Sequence, residues 1–169
     1  LMSDPKVIIV AAHSENRVIG KDGGIPWRVK GDFKFWQDIS RGKPVIMGRK
    51  TFLDVPPSFR KRDKIIVVTR DPDYAYEGVR VVHSLKDAFT AAYELADNEI
   101  IIGGGAEIYK QALPETDIMY LSTIHTTIND GDAIFPEFDQ NEWEETSSEF
   151  FPAEKGDTCG FTLRKLIRR

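Results

Sequence analysis

Short Val- and Ile-rich runs, recurring between helix-like segments, constrain this chain more than any other feature. They fall at residues 6–12, 44–47, 64–69, 79–82, 99–102 and 118–124. Each is nearly continuous in hydrophobicity, as expected for strands of a sheet covered on both faces. Residues 32–40, 84–96 and 106–113 read as helices. Ser84 offers an N-cap with Asp87 three residues on, and Pro114 ends the third helix. The last third differs: 143–151 and 158–166 look extended and flank a connection at 152–157, which reads as an antiparallel hairpin closing the sheet. The expected fold is α/β, a single domain over residues 1–169 with a mixed, mainly parallel sheet flanked by helices. Met2 reads as the natural start and Leu1 as an added residue.

With 41% hydrophobic and 30% charged residues the chain can bury a core, unlike a disordered protein. The apolar runs are far shorter than the roughly 20 residues that span a bilayer, and no signal-peptide layout precedes the first strand. No membrane role is expected. One cysteine, Cys159, allows neither an internal disulfide nor a multi-thiolate metal site, which suits a reducing cytoplasm. A net charge of −4 argues against nucleic acid as a main partner. That total conceals an asymmetry: residues 41–70 carry nine basic and two acidic side chains, +7, leaving −11 elsewhere. The basic segment is either a solvated face or an anion site.

Two strand-to-helix junctions favour the anion site. The first runs from 44–47 into Gly48-Arg49-Lys50-Thr51, which offers one anion backbone N–H groups, two cations and a hydroxyl. The spacing is not that of a P-loop. The second runs from 99–102 into Gly103-Gly104-Gly105-Ala106-Glu107-Ile108-Tyr109, where three glycines imply unusual backbone conformation or close approach of a ligand. Ile108 stands where a Rossmann fingerprint needs its third glycine. A magnesium-dependent kinase or nucleotidase would need carboxylates near these phosphates, and the basic segment offers only Asp54 and Asp63. Arg49, Lys50, Thr69 and Arg70 suit a dinucleotide with an extra phosphate, so NADP follows from charge alone.

Elsewhere the candidate chemistry reduces to one carboxylate. A glycine-rich loop, Gly20-Lys21-Asp22-Gly23-Gly24-Ile25-Pro26-Trp27, has the character of a lid and precedes a helix on which Asp32, Phe33 and Trp36 share a face. Asp32 is either an exposed N-cap or a carboxylate buried among aromatics, able to accept two parallel N–H bonds from an amidine-like heterocycle. No second carboxylate pairs with it for glycoside hydrolysis. His13, His83 and His125 lie near strand ends without a nucleophile elbow, and with one cysteine they make no zinc site.

Taken in order, several segments resemble the dihydrofolate reductase family across residues 6–166. They are Val10-Ala11-Ala12, Asn16-Arg17-Val18-Ile19-Gly20, Ile25-Pro26-Trp27, Asp32, the 44–51 junction, the 103–109 junction and Gly131-Asp132-Ala133-Ile134-Phe135-Pro136. The resemblance implies an eight-stranded sheet and NADPH-dependent reduction of 7,8-dihydrofolate to tetrahydrofolate for one-carbon metabolism. It also implies antifolate binding, no metal, and a cytoplasmic monomer. Asp32 would bind the 2-amino group and N3 of the pterin, backed by Ser122, and Trp27 would order a water beside it. Val10, Ala11, Ala12, Phe33, Trp36, Val55 and Phe59 would line the substrate pocket, and Arg62 would pair with the glutamate α-carboxylate. NADPH would be held by Ala12, Ile19, Gly20, Gly48, Arg49, Lys50, Thr51, Thr69, Arg70 and the run Gly104, Gly105, Ala106, Glu107, Ile108 and Tyr109. A cis peptide is implied at Gly104-Gly105, and Asp132 would hydrogen-bond to the lid.

Three positions depart from the family pattern: Ser122 for the usual Thr, Trp36 for Phe, and Gly103 where a larger apolar residue is common. Two other readings compete. A reductase of the same fold acting on a riboflavin-pathway pyrimidine should lack the Pro26-Trp27, Asp32 and Arg62 combination. A non-catalytic nucleotide-binding module should keep only the phosphate junctions.

Overall fold

The computed structural model describes residues 4–169, so Leu1 and Met2, read above as an added residue and the natural start, lie outside them. Ten strands form: β1 (Lys6–Ser14), β2 (Val18–Gly20), β3 (Val45–Gly48), β4 (Ile65–Val68), β5 (Arg80–Val82), β6 (Glu99–Gly104), β7 (Ile118–Ile124), β8 (Ala133–Ile134), β9 (Trp143–Phe151) and β10 (Phe161–Arg168). Five α-helices accompany them: α1 (Lys30–Ile39), α2 (Arg49–Asp54), α3 (Pro57–Arg60), α4 (Leu85–Leu95) and α5 (Ala106–Ala112). Eight strands make one sheet in the order β5-β4-β3-β6-β1-β7-β10-β9. The pairs from β5 through β7 are parallel, while β10 is antiparallel to both β7 and β9. The mixed sheet and the C-terminal hairpin expected from sequence are both present.

Alternate residues of the central strands feed two separate cores, which is why these strands read as continuous apolar runs. One face of the sheet, carrying Val7, Ile9, Ala11, Ile46, Ile100 and Ile102, packs on α4 and α5 through Ala88, Ala91, Ala92, Ile108 and Ala112. The opposite face, with Ile8, Val10, Val45, Met47 and Ile101, packs on α1, α2 and α3 through Trp36, Ile39, Phe52 and Phe59. Three small alanines bring α4 close to the sheet, and its start is fixed by the Ser84 hydroxyl, which accepts the Asp87 N–H at 3.0 Å.

These crossovers open the site. From β1 the chain passes to α1 on one face and crosses β6 to reach β3; from β6 it passes to α5 on the other face and crosses β1 to reach β7. The carboxyl ends of β1 and β6 are therefore neighbours whose following segments diverge, leaving a crevice between them.

Three differences from the sequence reading have local causes. The strand expected at 99–102 continues through Gly104, because its glycines still pair with β3. The hairpin's second strand starts at Phe161, not at 158, because Asp157 and Thr158 are engaged by the segment before α1. The pair β2–β8 and the helices α2 and α3 are too short to leave a period in the sequence.

His13, near the end of β1, is 7% exposed, and its Nδ1–H donates to the Ser14 carbonyl at 2.7 Å. Burial, with the positive charges of Arg164 and Arg17, holds its pKa below the ordinary 6.5 despite that hydrogen bond. The unfolded chain therefore binds a proton that the folded chain rejects, and stability is lost as pH falls below about 6.5. Urea unfolding of wild type and His13→Gln should show the wild type losing more stability than the variant between about pH 7 and pH 5. Parallel curves would place the acid sensitivity elsewhere.

Candidate functional site

A cavity of about 550 Å³ occupies the crevice. Its walls combine the carboxyl ends of β1 and β6, the first turns of α1 and α5, one face of α2, and the loop after β2. Of the residues expected to bind substrate, Val10, Ala11, Ala12, Asp32, Phe33, Trp36 and Val55 line it. Of those expected to hold the cofactor, Ile19, Gly20, Lys50, Thr51, Gly104, Gly105, Ala106 and Tyr109 line it as well. The expected carboxylate and both anion junctions thus open directly into a single space.

Asp32 is the third residue of α1, so it is not the N-cap, which is Val29. The helix start has no side-chain cap of its own. It is held from the distant hairpin: Asp157 Oδ1 accepts the Lys30 N–H at 3.1 Å, Thr158 Oγ1 accepts the Arg28 N–H at 3.0 Å, and the Thr158 N–H donates to the Arg28 carbonyl at 2.8 Å. Asp157 is kept below the usual carboxylate range by the Glu154 and Lys30 N–H groups, so it stays an acceptor.

Behind Asp32 lies Ser122, 1% exposed on β7 and paired across the strands with Ala12. The Ser122 hydroxyl hydrogen-bonds the Asp32 carboxylate and favours its charge, but burial outweighs it and pushes the pKa up to about 6. Across the cavity the Tyr109 hydroxyl donates to the Val10 carbonyl at 2.8 Å. Burial, and then the nearby Asp32 charge, drive its pKa upward, so it remains a neutral donor tying α5 to β1.

The glycine junction is shaped for a ligand backbone. Gly104 has φ of 108°, and a Cβ there would meet the Tyr109 hydroxyl at 3.0 Å; one on Gly105 would meet Thr51 Oγ1 at 3.2 Å. The Gly104-Gly105 peptide is cis. Side chains at these positions would fill the space between the two junctions. The residues present therefore fit an extended phosphate-bearing group laid across both helix starts.

Other expected residues lie off the cavity. Gly48 and Arg49 begin α2, where Arg49 sits 3.6 Å from Asp71 and its guanidinium lies over the Tyr74 ring. Thr69 and the exposed Arg70 follow β4, while Glu107 and Ile108 are on the outer and core-facing sides of α5. Phe59 is buried beneath Trp36, with ring centroids 4.8 Å apart, and does not itself reach the cavity. Arg62 stands at the far end of α1. It donates to Ser40 Oγ at 2.8 Å and the Gln37 carbonyl at 3.0 Å, with its guanidinium carbon 4.1 Å from the centre of the Phe59 ring.

The lid is held by backbone bonds within it and by Asp132 from a distant segment. Lys21 and Gly24 exchange two backbone hydrogen bonds, the Asp132 N–H donates to the Gly20 carbonyl at 3.0 Å, and the Asp132 carboxylate accepts the Asp22 N–H at 2.8 Å. Trp27 lines the cavity just beyond. Sequence reasoning missed Asp54 and Gly103 as lining residues. Asp54 lies one helical turn past Lys50 and Thr51, so that spacing could have shown it.

A raised native pKa for Asp32 carries a sign. The protonated native form is favoured, so the extra stability is present below about pH 4 and is lost as pH rises through about 6. At pH 7.5 Asp32→Asn should be more stable than wild type by about 1–3 kcal/mol, the gain disappearing in acid. Urea midpoints across that range check it, and a variant less stable at pH 7.5 would refute a strained carboxylate.

Comparison with known proteins gives a consistent answer. The family model described as dihydrofolate reductase matches residues 6–168. The chain is 38% identical to the Bacillus subtilis (strain 168) dihydrofolate reductase over 85% of its length and 83% of that protein. It is also 38% identical to dihydrofolate reductase type 3 of Salmonella typhimurium, covering 96% of this chain and 98% of that one. A solved structure of Enterococcus faecalis dihydrofolate reductase, complexed with NADP(H) and RAB-propyl, superposes with a TM-score of 0.85 at 30% identity, covering 97% and 96% of the two chains.

Proposed function

The chain belongs to the dihydrofolate reductase family, and we propose that Asp32 is the group through which it orients and protonates its substrate. The enzyme is an NADPH-dependent oxidoreductase that reduces 7,8-dihydrofolate to 5,6,7,8-tetrahydrofolate. NADPH, when bound, supplies the hydride that reaches C6 of the substrate.

The observation that carries the assignment to Asp32 is a desolvated carboxylate, with a pKa of about 6, in the same cavity as the Gly104 and Gly105 cradle. An anion there lacks water to satisfy it. A heterocycle presenting an amino group and a ring N–H side by side offers two parallel donors, which offset the lost hydration and fix the ring in one plane. Ser122 occupies the remaining side of the carboxylate. With the ring so fixed, the negative charge favours protonation of its N5, and Trp27 helps hold the water through which the proton arrives. No covalent intermediate is required, because positioning and charge carry the reaction.

On the cofactor side, Thr51 and the glycines Gly104 and Gly105 would seat the NADPH phosphates, with Gly48, Lys50, Ala106, Glu107, Ile108 and Tyr109 around them. Ala12, Ile19 and Gly20 would close over the nicotinamide end. Arg49, Thr69 and Arg70 would receive the extra phosphate, Arg70 being the freest because no ion pair engages it among the described residues. Arg62, preorganised by Ser40 and Gln37, would pair with the carboxylate of the substrate's glutamate tail. Among the described residues no helix is long and apolar enough to cross a membrane. A cytoplasmic location is the reading that the single cysteine supports, and a monomeric state is what the family resemblance implies.

Following the nicotinamide absorbance with NADPH and dihydrofolate tests the activity, and the absence of substrate-dependent oxidation would overturn it. Asp32→Asn should reduce turnover at neutral pH by about 100-fold or more while leaving NADPH affinity within about twofold. A near-normal rate would show that another group does this work. Arg70→Ala should weaken NADPH by about tenfold and NADH by less than about twofold, measured by fluorescence titration. Equal losses would remove Arg70 from the extra-phosphate site.

A further inference from the structure

Gly103 faces the cavity immediately before the two cradle glycines and has no place in the reading above. It is buried, and it is absent from the glycines whose φ lies in the left-handed region, so backbone conformation does not call for glycine here. Space does. A Cβ at this position would lie 3.1 Å from Val45 Cγ1, 3.2 Å from Trp36 Cζ2 and 3.3 Å from Met47 Cε. Val45 and Met47 are core residues of β3 that do not line the cavity, so Trp36 is the neighbour through which a side chain at 103 would alter the cavity wall.

That indole is the centre of a row of rings. It stacks on Phe33 at 6.0 Å and 16°, and on Phe59 at 4.8 Å and 29°. Phe59 in turn carries the Arg62 guanidinium on its face. The row starts beside Asp32 and ends at a cation held for a carboxylate, with Trp36 midway and open to the cavity.

We propose that Trp36 and Gly103 form a matched pair that sets the width of the slot between Asp32 and Arg62, and so selects the aryl segment of the substrate. Resting on the functional reading above, it adds a specificity determinant to that site. Gly103 gives up its side chain so that the indole can seat against β6. The seated indole, held between Phe33 and Phe59, then forms one wall of the slot beside any planar ring joining the heterocycle to the carboxylate tail. A side chain at 103 would tilt the indole into the slot; a smaller ring at 36 would leave the slot too wide to hold the aryl group.

Two substrates and two positions test this. Dihydrofolate carries the aryl segment and tail, whereas 6-methyl-7,8-dihydropterin carries only the heterocycle. Trp36→Phe should raise KM for dihydrofolate by about fivefold with kcat little changed, while kcat/KM for 6-methyl-7,8-dihydropterin shifts by less than about twofold. Gly103→Ala alone should raise KM for dihydrofolate by about fivefold, but add less than about twofold in the Trp36→Phe background, since the one close neighbour that lines the cavity is then gone. Equal losses on both substrates, or additive losses at the two positions, would overturn the pair. Should Gly103→Ala fail to fold beside Trp36, the substrate comparison with Trp36→Phe alone decides. Wild-type protein that turns over neither substrate would overturn the functional reading instead, whereas normal wild-type turnover with equal losses overturns only the pair.

Discussion

The direction in which the chain leaves two adjacent strands governs the rest of the molecule. The backbone turns to one face after β1 and to the other after β6, so no connection covers the ends of those strands. A space bounded by main chain on both sides can be lined only by residues at strand ends and first helical turns. Those are the places where backbone N–H groups are unpaired and where glycine permits close approach. Asp32, Thr51, Gly104 and Gly105 come from three such turns, distant in sequence and adjacent here. The topology therefore fixes the geometry of the site before any particular side chain is chosen.

Much of this was legible without coordinates, because the central strands sit between two cores. Continuous runs such as 100–102 are apolar both toward α1–α3 and toward α4–α5, and they announce both the strand and its burial. The Asp32 carboxylate and the glycine run were also visible, since each violates the local pattern around it. What could not be read is whatever depends on contacts between distant segments. The pair β2–β8 spans only a few residues and exists because Asp132 and Gly20 meet. The start of β10 is delayed by bonds from Asp157 and Thr158 to a segment more than a hundred residues earlier. Phe59 was expected in the cavity but supports Trp36 from beneath, a distinction between first and second layers that periodicity does not carry.

The charge asymmetry takes on meaning once placed on this frame. The net total of −4 is a sum over a basic segment and an acidic remainder. Within the basic segment the cations divide by their partners. Arg62 is fixed by Ser40 and Gln37, Arg49 is shared with Asp71 and Tyr74, and Lys43 pairs with Glu99 at 2.8 Å. Lys50 and Arg70 are exposed at the ends of β3 and β4. Cations already satisfied by the protein contribute orientation, and those left free contribute attraction. A molecule with phosphates at one end and a carboxylate-bearing partner at the other needs both kinds.

The helix that holds a carboxylate where water is scarce starts without a side-chain cap of its own, and the molecule supplies an acceptor from far away in sequence. Val29 offers no cap, and the first helical turn carries Asp32 at a position where its charge is opposed by burial. The missing cap comes from Asp157, in the connection between β9 and β10, whose own charge is secured by the Glu154 and Lys30 N–H groups. Those strands form one edge of the sheet, so a connection at that edge supports the start of the helix that carries the carboxylate. The antiparallel hairpin, which looks like an appendage to a parallel sheet, is thereby tied to the chemistry. It supplies the acceptor that the helix bearing the reactive carboxylate cannot supply for itself.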